Sequence, residues 1–380
     1  MDFNLSEEQE ALQEMARDFL RERWPTDRMR DALDKRPALI DDEVWQEIVE
    51  MGWLGVTASE EAGGIGADVM TAAVLAQETG RGVLPGPFQS SLVAAIAIER
   101  SGDEALCGKL LPDLIGGKTR TTLAIEEPGG LCGPDAVEAE AVAGAEGWLL
   151  SGSKILVPDT DGAQLLLVAA RTPDGLGLVR VSADAEGVTI NPMRRMDAQS
   201  CAEVIFEKVK LEGDALLGGA ARGEEVLREA YEIWTVLMAA DLLGSAEASL
   251  ELTKQHATER VQFGKPIGSF QAVSHRLANN LVEVEIGRSL LYGACLALDE
   301  KRDNAVALVS AAKAWLSDTA VSAAEAALQI HGGVGFSWEY DVHLHMRRAR
   351  CNAALLGDSD YHRDRVATYM DESWVPPVKV

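Results

Sequence analysis

The sequence has few cysteines, and their arrangement excludes the usual roles of paired thiols. They are odd in number, far apart and never spaced as CxxC, so neither a disulfide framework nor a zinc site is expected. The five positions are Cys107, Cys132, Cys201, Cys295 and Cys351. The first residues are acidic and lack the apolar stretch of a signal peptide, and no segment approaches the roughly 18 apolar residues of a membrane span. These absences predict a cytoplasmic protein with reduced thiols and no membrane span.

Basic side chains are scarce relative to acidic ones. The 380 residues include 61 Asp and Glu against 35 Lys and Arg, which gives a formal net charge of -26. Such a charge repels nucleic acid and an anionic membrane surface alike, so no nucleic acid partner is expected. An anionic ligand would need a local cluster of hydrogen-bond donors acting against this field.

The rest of the composition is that of a globular protein. Hydrophobic residues make up 47% of the chain and charged residues 25%, which argues against a disordered protein. At this length we expect two or three packed units rather than a single small core.

The first 118 residues show the hydrophobic period of amphipathic helices. Ser6 and Gln9 form the pattern of a capping box, so a helix is predicted to begin there, and Pro25 is predicted to end it. Further helical stretches are predicted near residues 42–51, 70–78 and 90–100. Residues 1–118 are therefore predicted to form an N-terminal helical domain.

Between residues 119 and 218 the hydrophobic period changes to two. Short apolar runs alternate with Gly, Pro and Asp at the spacing of antiparallel strands in a small sandwich or barrel. The predicted strands lie near residues 121–125, 137–142, 148–157, 165–169, 178–181 and 204–209. Residues 119–218 are therefore predicted to form a middle β-domain.

The helical period returns in residues 219–380. Long helices are predicted near residues 224–259, 270–298 and 305–330. The second carries a single apolar stripe with steps of three or four residues, which is typical of four-helix bundles. The predicted fold is thus mainly α, with a β-domain between a helical domain and a C-terminal four-helix bundle.

One candidate binding segment follows the first long helix and reads Glu259-Arg260-Val261-Gln262-Phe263-Gly264-Lys265-Pro266-Ile267-Gly268. Phe270 and Gln271 then begin the next helix. An arginine beside a glycine turn can present a bidentate fork to a phosphate or pyrophosphate. Alternatively, a basic residue in the last turn only complements the helix dipole.

A second candidate segment follows the third long helix and reads Gln329-Ile330-His331-Gly332-Gly333-Val334-Gly335-Phe336. Adjacent glycines remove side chains where a ligand could approach the backbone, and their amides can face an anion. Alternatively, the glycines form an ordinary helix cap and turn.

Together, in this order and domain context, the two segments resemble the acyl-CoA dehydrogenase family. The family's C-terminal signature is similar to Gln-x-x-Gly-Gly-x-Gly-Phe, followed by a Glu-Tyr pair and a Met-Arg-Arg-Ala-type helix. Glu339-Tyr340 and Met346-Arg347-Arg348-Ala349 supply the last two elements here. The resemblance covers essentially the whole chain.

The resemblance implies a tetramer built as a dimer of dimers, with FAD bound between subunits. It implies removal of a proton from the α carbon of an acyl-CoA thioester and transfer of a hydride from its β carbon to the flavin. Electrons would pass to an electron-transferring flavoprotein. The positions that match the family's residues for the ADP half of FAD are Arg260, Phe263, Gln271, Gln329, Gly332 and Gly333.

The chain departs from the family where the catalytic carboxylate is expected. Leu356 occupies the position of the usual glutamate, and Trp234 occupies the alternative position on an earlier helix, with Glu232 two residues before it. Two residues along a helix point to different faces. Asp358, in the glycine-containing turn after Leu356, is therefore the predicted general base. Alternatively, Asp358 and Asp360 only cap the following helix.

The middle domain departs from the family as well. Glu126 stands where the family has threonine, and Leu156-Val157-Pro158 replaces a Trp-Ile-Thr segment that lies over the flavin. A carboxylate there opposes the reduced, anionic flavin. The site for the flavin ring is thus less complete than that for ADP, and a mixed tetramer is the alternative, in which this chain completes the FAD site of a homologous subunit. A third hypothesis is an oxidase or oxygenase, in which oxygen is the electron acceptor.

Overall fold

The computed structural model describes residues 5–35, 37–144 and 147–373. Residues 1–4, part of the acidic start of the chain, lie outside the described residues. The helices are α1 (Glu7–Arg23), α2 (Thr26–Lys35), α3 (Asp42–Glu50), α4 (Val69–Arg81), α5 (Phe88–Arg100), α6 (Glu104–Ile115), α7 (Gly219–Glu259), α8 (Gln271–Asp299), α9 (Ala305–His331), α10 (Val342–Ala354) and α11 (Ser359–Ser373). The strands are β1 (Thr121–Ala124), β2 (Glu140–Ala143), β3 (Trp148–Pro158), β4 (Leu165–Thr172), β5 (Gly175–Ser182), β6 (Val188–Pro192), β7 (Cys201–Leu211), β8 (Val261–Gln262) and β9 (Lys265–Pro266).

The predicted fold class is confirmed. Helices precede a sheet in the middle of the chain, and long helices follow it. The predicted start of the first helix is confirmed in detail, since the Ser6 hydroxyl accepts a hydrogen bond from the Gln9 amide at 3.2 Å and the Gln9 side chain accepts one from the Ser6 amide at 3.0 Å. This capping box satisfies two backbone N–H groups of the first turn.

The middle sheet is mixed, which corrects the prediction of antiparallel strands. The strand order is β1-β4-β2-β3-β7-β6, with β5 on β4, and β1 runs parallel to β4 over Thr121–Ala124 and Leu165–Val168. Alternating hydrophobicity reports which side chains are buried but not which strands are neighbours. A long connection that contains β2 and β3 separates β1 from β4, and it allows the parallel pairing.

Helix α7 runs through the centre of the structure and packs against α4, α5, α8, α9, α10 and β5. By length and composition alone α7 could cross a membrane, since an 18-residue window of the helix has a mean hydropathy of 1.2. This corrects the expectation that no such segment exists. However, 94% of that window is buried inside the protein. We therefore interpret α7 as a core helix, whose apolar surface is covered by its neighbours.

Two glycines allow α4 and α7 to cross at close range. A Cβ atom on Gly244 of α7 would lie 1.8 Å from the carbonyl oxygen of Gln77, and one on Gly80 of α4 would lie 2.1 Å from that of Asp241. Backbone, rather than a movable side chain, occupies both positions. The crossing therefore requires residues without a side chain.

We predict that Gly244→Ala destabilises the protein, since the added methyl group forces α4 and α7 apart. Overpacking of this kind costs about 1–3 kcal/mol, measurable as a loss of unfolding free energy in urea at fixed protein concentration. Gly108→Ala is the control, because Gly108 is an exposed residue of α6 with open space around it. That variant should gain about 0.5–1 kcal/mol; equal effects of both substitutions would contradict the packing argument.

Candidate functional site

The structure brings the two segments that were predicted to bind a nucleotide to one end of the helical bundle. Helices α7 and α9 end side by side, and the rings of His256 and His331 stack there with their centroids 4.2 Å apart. Arg260 follows the first helix, and the Gly332–Gly333 pair follows the second. We call this surface the bundle end; it consists of Arg260, Phe263, Gln271, Gln329, Gly332 and Gly333.

A tight hairpin shapes one side of the bundle end. Strands β8 and β9 pair through two residues each, and the turn between them places Phe263 and Gly264 at φ +53° and +79°. The Phe263 side chain is 92% exposed and meets Phe270 edge to face, with 6.1 Å between ring centroids. Left-handed backbone is unfavourable for phenylalanine, so the hairpin maintains an exposed aromatic ring at some energetic cost.

The polar groups of the bundle end are open to a ligand. Arg260 is exposed and forms no side-chain hydrogen bond or ion pair within the described part of the chain. Gln271 and Gln329 are exposed as well, and a Cβ atom on Gly332 or Gly333 would have no neighbour within 4 Å. In a protein of net charge -26, an unpaired guanidinium beside bare backbone is the kind of local donor set that an anionic ligand requires.

Helix α8 adds backbone donors that the sequence analysis did not identify. It begins at Gln271, and its cap residue Phe270 provides no side-chain hydrogen bond to the first turn. The amides of a first turn lack partners within their own helix, and the helix dipole places partial positive charge there. The uncapped start after Phe270 is the signal that could have revealed these donors.

The bundle end therefore fits the ADP half of FAD. A guanidinium and free helix amides suit a pyrophosphate, and the exposed Phe263 ring offers an apolar contact. The assignment of the six residues to FAD remains a prediction. The structure establishes that one chain presents all of them at the same end.

A second region lies between β1, β3, α7 and the turn from α10 to α11. It contains a small, mainly apolar cavity, which we call the β3 cavity. Its walls include the Leu156–Pro158 segment that, by resemblance, lies over the flavin. The lining residues are Leu123, Ile125, Glu126, Ile155, Leu156, Val157, Pro158, Trp234, Met238, Leu355 and Leu356.

Two leucines in left-handed backbone line the β3 cavity. Leu156 has φ +53° beside an irregularity in the β3–β7 pairing, and Leu356 has φ +58° in the α10–α11 turn. Such conformations cost about 1–3 kcal/mol each and persist only where their surroundings hold them. The Tyr231 hydroxyl donates a hydrogen bond to the Leu356 carbonyl oxygen at 2.7 Å. The same oxygen lies 2.9 Å from Nε2 of His362.

Lys313 fixes the same turn from the other side. This buried α9 residue donates from Nζ to the carbonyl oxygens of Ala353 and Gly357, at 3.1 and 3.0 Å, and to the Ser317 hydroxyl at 3.1 Å. Burial lowers the pKa of Lys313 to about 7, against the favourable influence of nearby carboxylates. Its role was missed; the available signal was a lone lysine in the alanine-rich segment of α9.

Glu126 is the carboxyl group that lines the β3 cavity. It is largely buried, and its Oε1 atom has no hydrogen-bond partner among the described residues. Burial raises the pKa of Glu126, partly opposed by hydrogen bonds to the carboxylate and by Lys154. Pro158, in the same wall, has no N–H to donate to a ligand.

The predicted base Asp358 is exposed and does not line the β3 cavity. Its carboxylate accepts a hydrogen bond from the Tyr361 amide at 2.9 Å, which is the geometry of a helix N-cap. It faces an open cleft together with Ser317, Ala354 and Ser359. The structure thus shows a capping contact, and the catalytic role of Asp358 stays a prediction.

Glu232, the other carboxylate considered, is buried in an ion pair with Arg365. Trp234 lines the β3 cavity, whereas Glu232 does not. This agrees with the expectation that two residues along a helix point to different faces.

His343 and His345 contact different neighbours. The His343 ring stacks on Trp338 at a centroid distance of 5.2 Å, whereas Nδ1 of His345 lies 3.3 Å from the Ser245 hydroxyl. Within residues 5–35, 37–144 and 147–373, no group of three or more His, Cys, Asp or Glu side chains is arranged to hold a metal ion.

Comparisons with known proteins agree with this architecture. The family model described as acyl-CoA dehydrogenase, N-terminal domain, matches residues 6–118, and that of the C-terminal domain matches residues 221–370. Glutaryl-CoA dehydrogenase of Desulfococcus multivorans is 30% identical over 90% of this chain and 91% of its own length.

A solved chain from a variant of the Tcur3481-Tcur3483 steroid ACAD is 32% identical, with a TM-score of 0.89 over 96% of this chain and 98% of that chain. One from the ChsE4-ChsE5 complex of Mycobacterium tuberculosis is 26% identical, with a TM-score of 0.92 over 99% of this chain and 100% of that chain.

The buried Lys313 predicts a specific pH dependence of stability. Its pKa is about 7 in the folded protein and ordinarily 10.5, so between these values the unfolded chain binds more protons. The unfolding free energy of the wild type should therefore rise with pH in this window, relative to Lys313→Met, by up to about 1.4 kcal/mol per pH unit. Urea titrations of both proteins between about pH 7 and 9 measure the difference, and parallel curves would contradict the assigned pKa.

Proposed function

Because this chain belongs to the acyl-CoA dehydrogenase family of FAD-dependent enzymes, we propose that it acts in the α,β-dehydrogenation of an acyl-CoA thioester. The main support from the geometry is that Arg260 and the Gly332–Gly333 pair meet at the exposed bundle end. The acyl group is a fatty or steroid-derived chain, and the electron acceptor is an electron-transferring flavoprotein.

FAD, when bound, supplies the acceptor for the hydride that leaves the β carbon of the substrate. The residues of this chain bind and orient: Arg260 and the first amides of α8 would hold the pyrophosphate, and Phe263 would cover an apolar part of the nucleotide. The apolar walls of the β3 cavity exclude water from the reacting carbons. In an active subunit, Asp358 would accept the proton from the α carbon, provided that its carboxylate turns from the helix cap toward the substrate.

The surface around the bundle end supports assembly into a tetramer. Large apolar side chains are exposed there in both segments, among them Phe263, Phe336, Trp338 and Tyr340. Exposed apolar groups of this size, set among polar groups, mark interaction surfaces. A neighbouring subunit that covers them would also place its own flavin ring site beside the nucleotide.

A second candidate function is that of a subunit which completes the FAD site of a homologous partner in a mixed tetramer. Three observations are compatible with it: Leu156 and Leu356 line the β3 cavity in left-handed backbone, Pro158 lacks an N–H in its wall, and Asp358 caps a helix outside it. Two of the similar structures carry paired names, Tcur3481-Tcur3483 and ChsE4-ChsE5. Purified assemblies loaded with one flavin per chain would support the first function, and about half that loading would support the second.

We predict that Arg260→Gln lowers the affinity of the assembled protein for FAD by about tenfold or more. Loss of a charge-assisted hydrogen bond to a phosphate costs about 1.5–3 kcal/mol. Because Arg260 is exposed and unpaired within the described chain, its loss should leave the unfolding free energy of the flavin-free protein unchanged. Equilibrium titration with FAD, followed by flavin fluorescence, measures the affinity.

The control for this experiment is Lys109→Gln, which removes one positive charge from the exposed face of α6. It should leave FAD affinity as in the wild type. An equal loss of affinity in both variants, or no loss in Arg260→Gln, would show that the bundle end does not hold the nucleotide.

Substitution of Asp358 separates its two roles. If Asp358 is the general base, its loss should lower turnover about 10²–10⁴-fold. Asn caps a helix about as well as Asp, so Asp358→Asn should leave the unfolding free energy of the protein unchanged. Asp358→Ala should lower this free energy by about 1 kcal/mol. Turnover of acyl-CoA by the assembled protein and urea unfolding measure the two effects. Unchanged turnover in Asp358→Asn would remove this residue as the base and leave only the cap.

A further inference from the structure

A second cavity, lined by polar groups, adjoins the β3 cavity. It lies between the α4–α5 connection, the end of β3, the β6–β7 connection, α7 and α10. We call it the polar cavity. Its polar walls include Gln89, Asp159, Arg195, Gln199, Arg348 and Asn352.

Buried ion pairs hold the walls of the polar cavity in place. Arg348 donates to both carboxylate oxygens of Asp241, and its Nε atom lies 2.9 Å from Oδ1. Asn352 donates to the same carboxylate at 2.8 Å. Arg195 forms a similar two-point contact with Asp197, at 2.9 and 2.6 Å. Each guanidinium thus has one carboxylate, which leaves the charge of these pairs balanced.

Three polar atoms in the walls have no partner in the part of the chain that the structure describes. They are Nη1 of Arg348, Nε2 of Gln199 and Oε1 of Gln89. The first two are donors on side chains that are only 4% and 8% exposed, and the third is an acceptor. A buried polar group without a hydrogen bond costs about 1–3 kcal/mol, so three such atoms around one cavity indicate a polar occupant.

The polar cavity continues the space in which the reaction is proposed to occur. Pro158, Trp234, Met238 and Leu355 line both cavities. An acyl group whose thioester end lies beside Leu156–Pro158 would therefore point its distal part at Arg348 and Gln199. A purely aliphatic chain would leave the donors unsatisfied, whereas an oxygen atom could accept from them.

We propose that the polar cavity selects acyl-CoA substrates whose acyl group carries a hydroxyl or keto oxygen. Arg348 and Gln199 donate to this oxygen, and a hydroxyl can also donate to Oε1 of Gln89. A neutral oxygen suits the cavity better than a carboxylate, because each arginine already faces an aspartate. This inference rests on the proposed function, since it requires that the chain binds an acyl-CoA in its own cavity.

The test is calorimetric binding of matched thioesters to the purified native assembly, without any measurement of turnover. The probes are ω-hydroxyacyl-CoA esters of increasing chain length, each beside its unsubstituted parent. At the length that reaches the donors, the hydroxylated ester should bind at least about tenfold more tightly than its parent. Gln199→Met removes an unpaired donor at nearly constant side-chain length, so this preference should fall. Gln46→Met, on the exposed face of α3, should retain it.

The outcomes separate the inference from the proposed function. Equal binding of hydroxylated and parent esters at every length would overturn the inference, leave acyl-CoA binding intact and indicate that only water satisfies the three atoms. A preference that survives in Gln199→Met unchanged would overturn the assignment of the donor. If no thioester of either kind binds, the proposed function fails for this subunit, and the inference fails with it.

Discussion

One long buried helix, α7, contributes residues to both cavities and leads to the bundle end. Helix α7 contacts the N-terminal helices, the sheet and the other helices of the bundle, and most of its residues from Tyr231 to Ser249 are buried. Glycines at its crossing with α4 set the distance between the first and last domains. Its middle presents Trp234 and Met238 to both cavities, and its end carries Arg260 to the surface. A shift of α7 would therefore alter both cavities and the bundle end together.

The two halves of the proposed cofactor site differ in physical character. The bundle end is exposed, and its Arg260 has no partner within the described residues. The Arg260 side chain therefore contributes little to the folding free energy. The region beside β3 contains buried charges and two leucines in left-handed backbone, and Lys313 and Tyr231 hold the turn that contains one of them, Leu356. Buried ionic groups cost stability unless every partner is in place, and strained backbone often accompanies function. This contrast is the reason to consider both a catalytic subunit and one that completes a partner's site.

Much of the fold could be predicted from local patterns. The Ser6 capping box, the three long helices and six strands of the middle domain follow from short-range signals, and the structure contains them. Strand β6 (Val188–Pro192) was not predicted. The parallel pairing of β1 with β4 could not be predicted, since hydrophobic alternation carries no information about strand neighbours. The proximity of Arg260 to Gly332 was expected only from the resemblance. The two residues are far apart along the chain, and local patterns do not show that α7 and α9 end side by side.

The predictions for the catalytic side were weaker, for a physical reason. The direction of a carboxylate in a turn depends on local dihedral angles and capping bonds, so the sequence left open whether Asp358 is a base or only a helix cap. The structure shows the capping contact with the Tyr361 amide. Lys313 and the polar cavity depend on side chains from distant segments, such as Gln89, Gln199 and Arg348, whose meeting no local pattern records. Burial and the absence of partners, which mark these groups, are properties of the folded protein alone.

The central claim is that this chain holds the nucleotide half of an FAD whose ring lies in a neighbouring subunit. The most direct measurement is an experimental structure of the native assembly with FAD bound. Our account predicts that the diphosphate lies against Arg260 and the start of α8, with the Gly332–Gly333 turn beside it and the ring system in the adjoining protomer. A cofactor held entirely within one chain, or a bundle end that faces bulk solvent in the assembly, would contradict it.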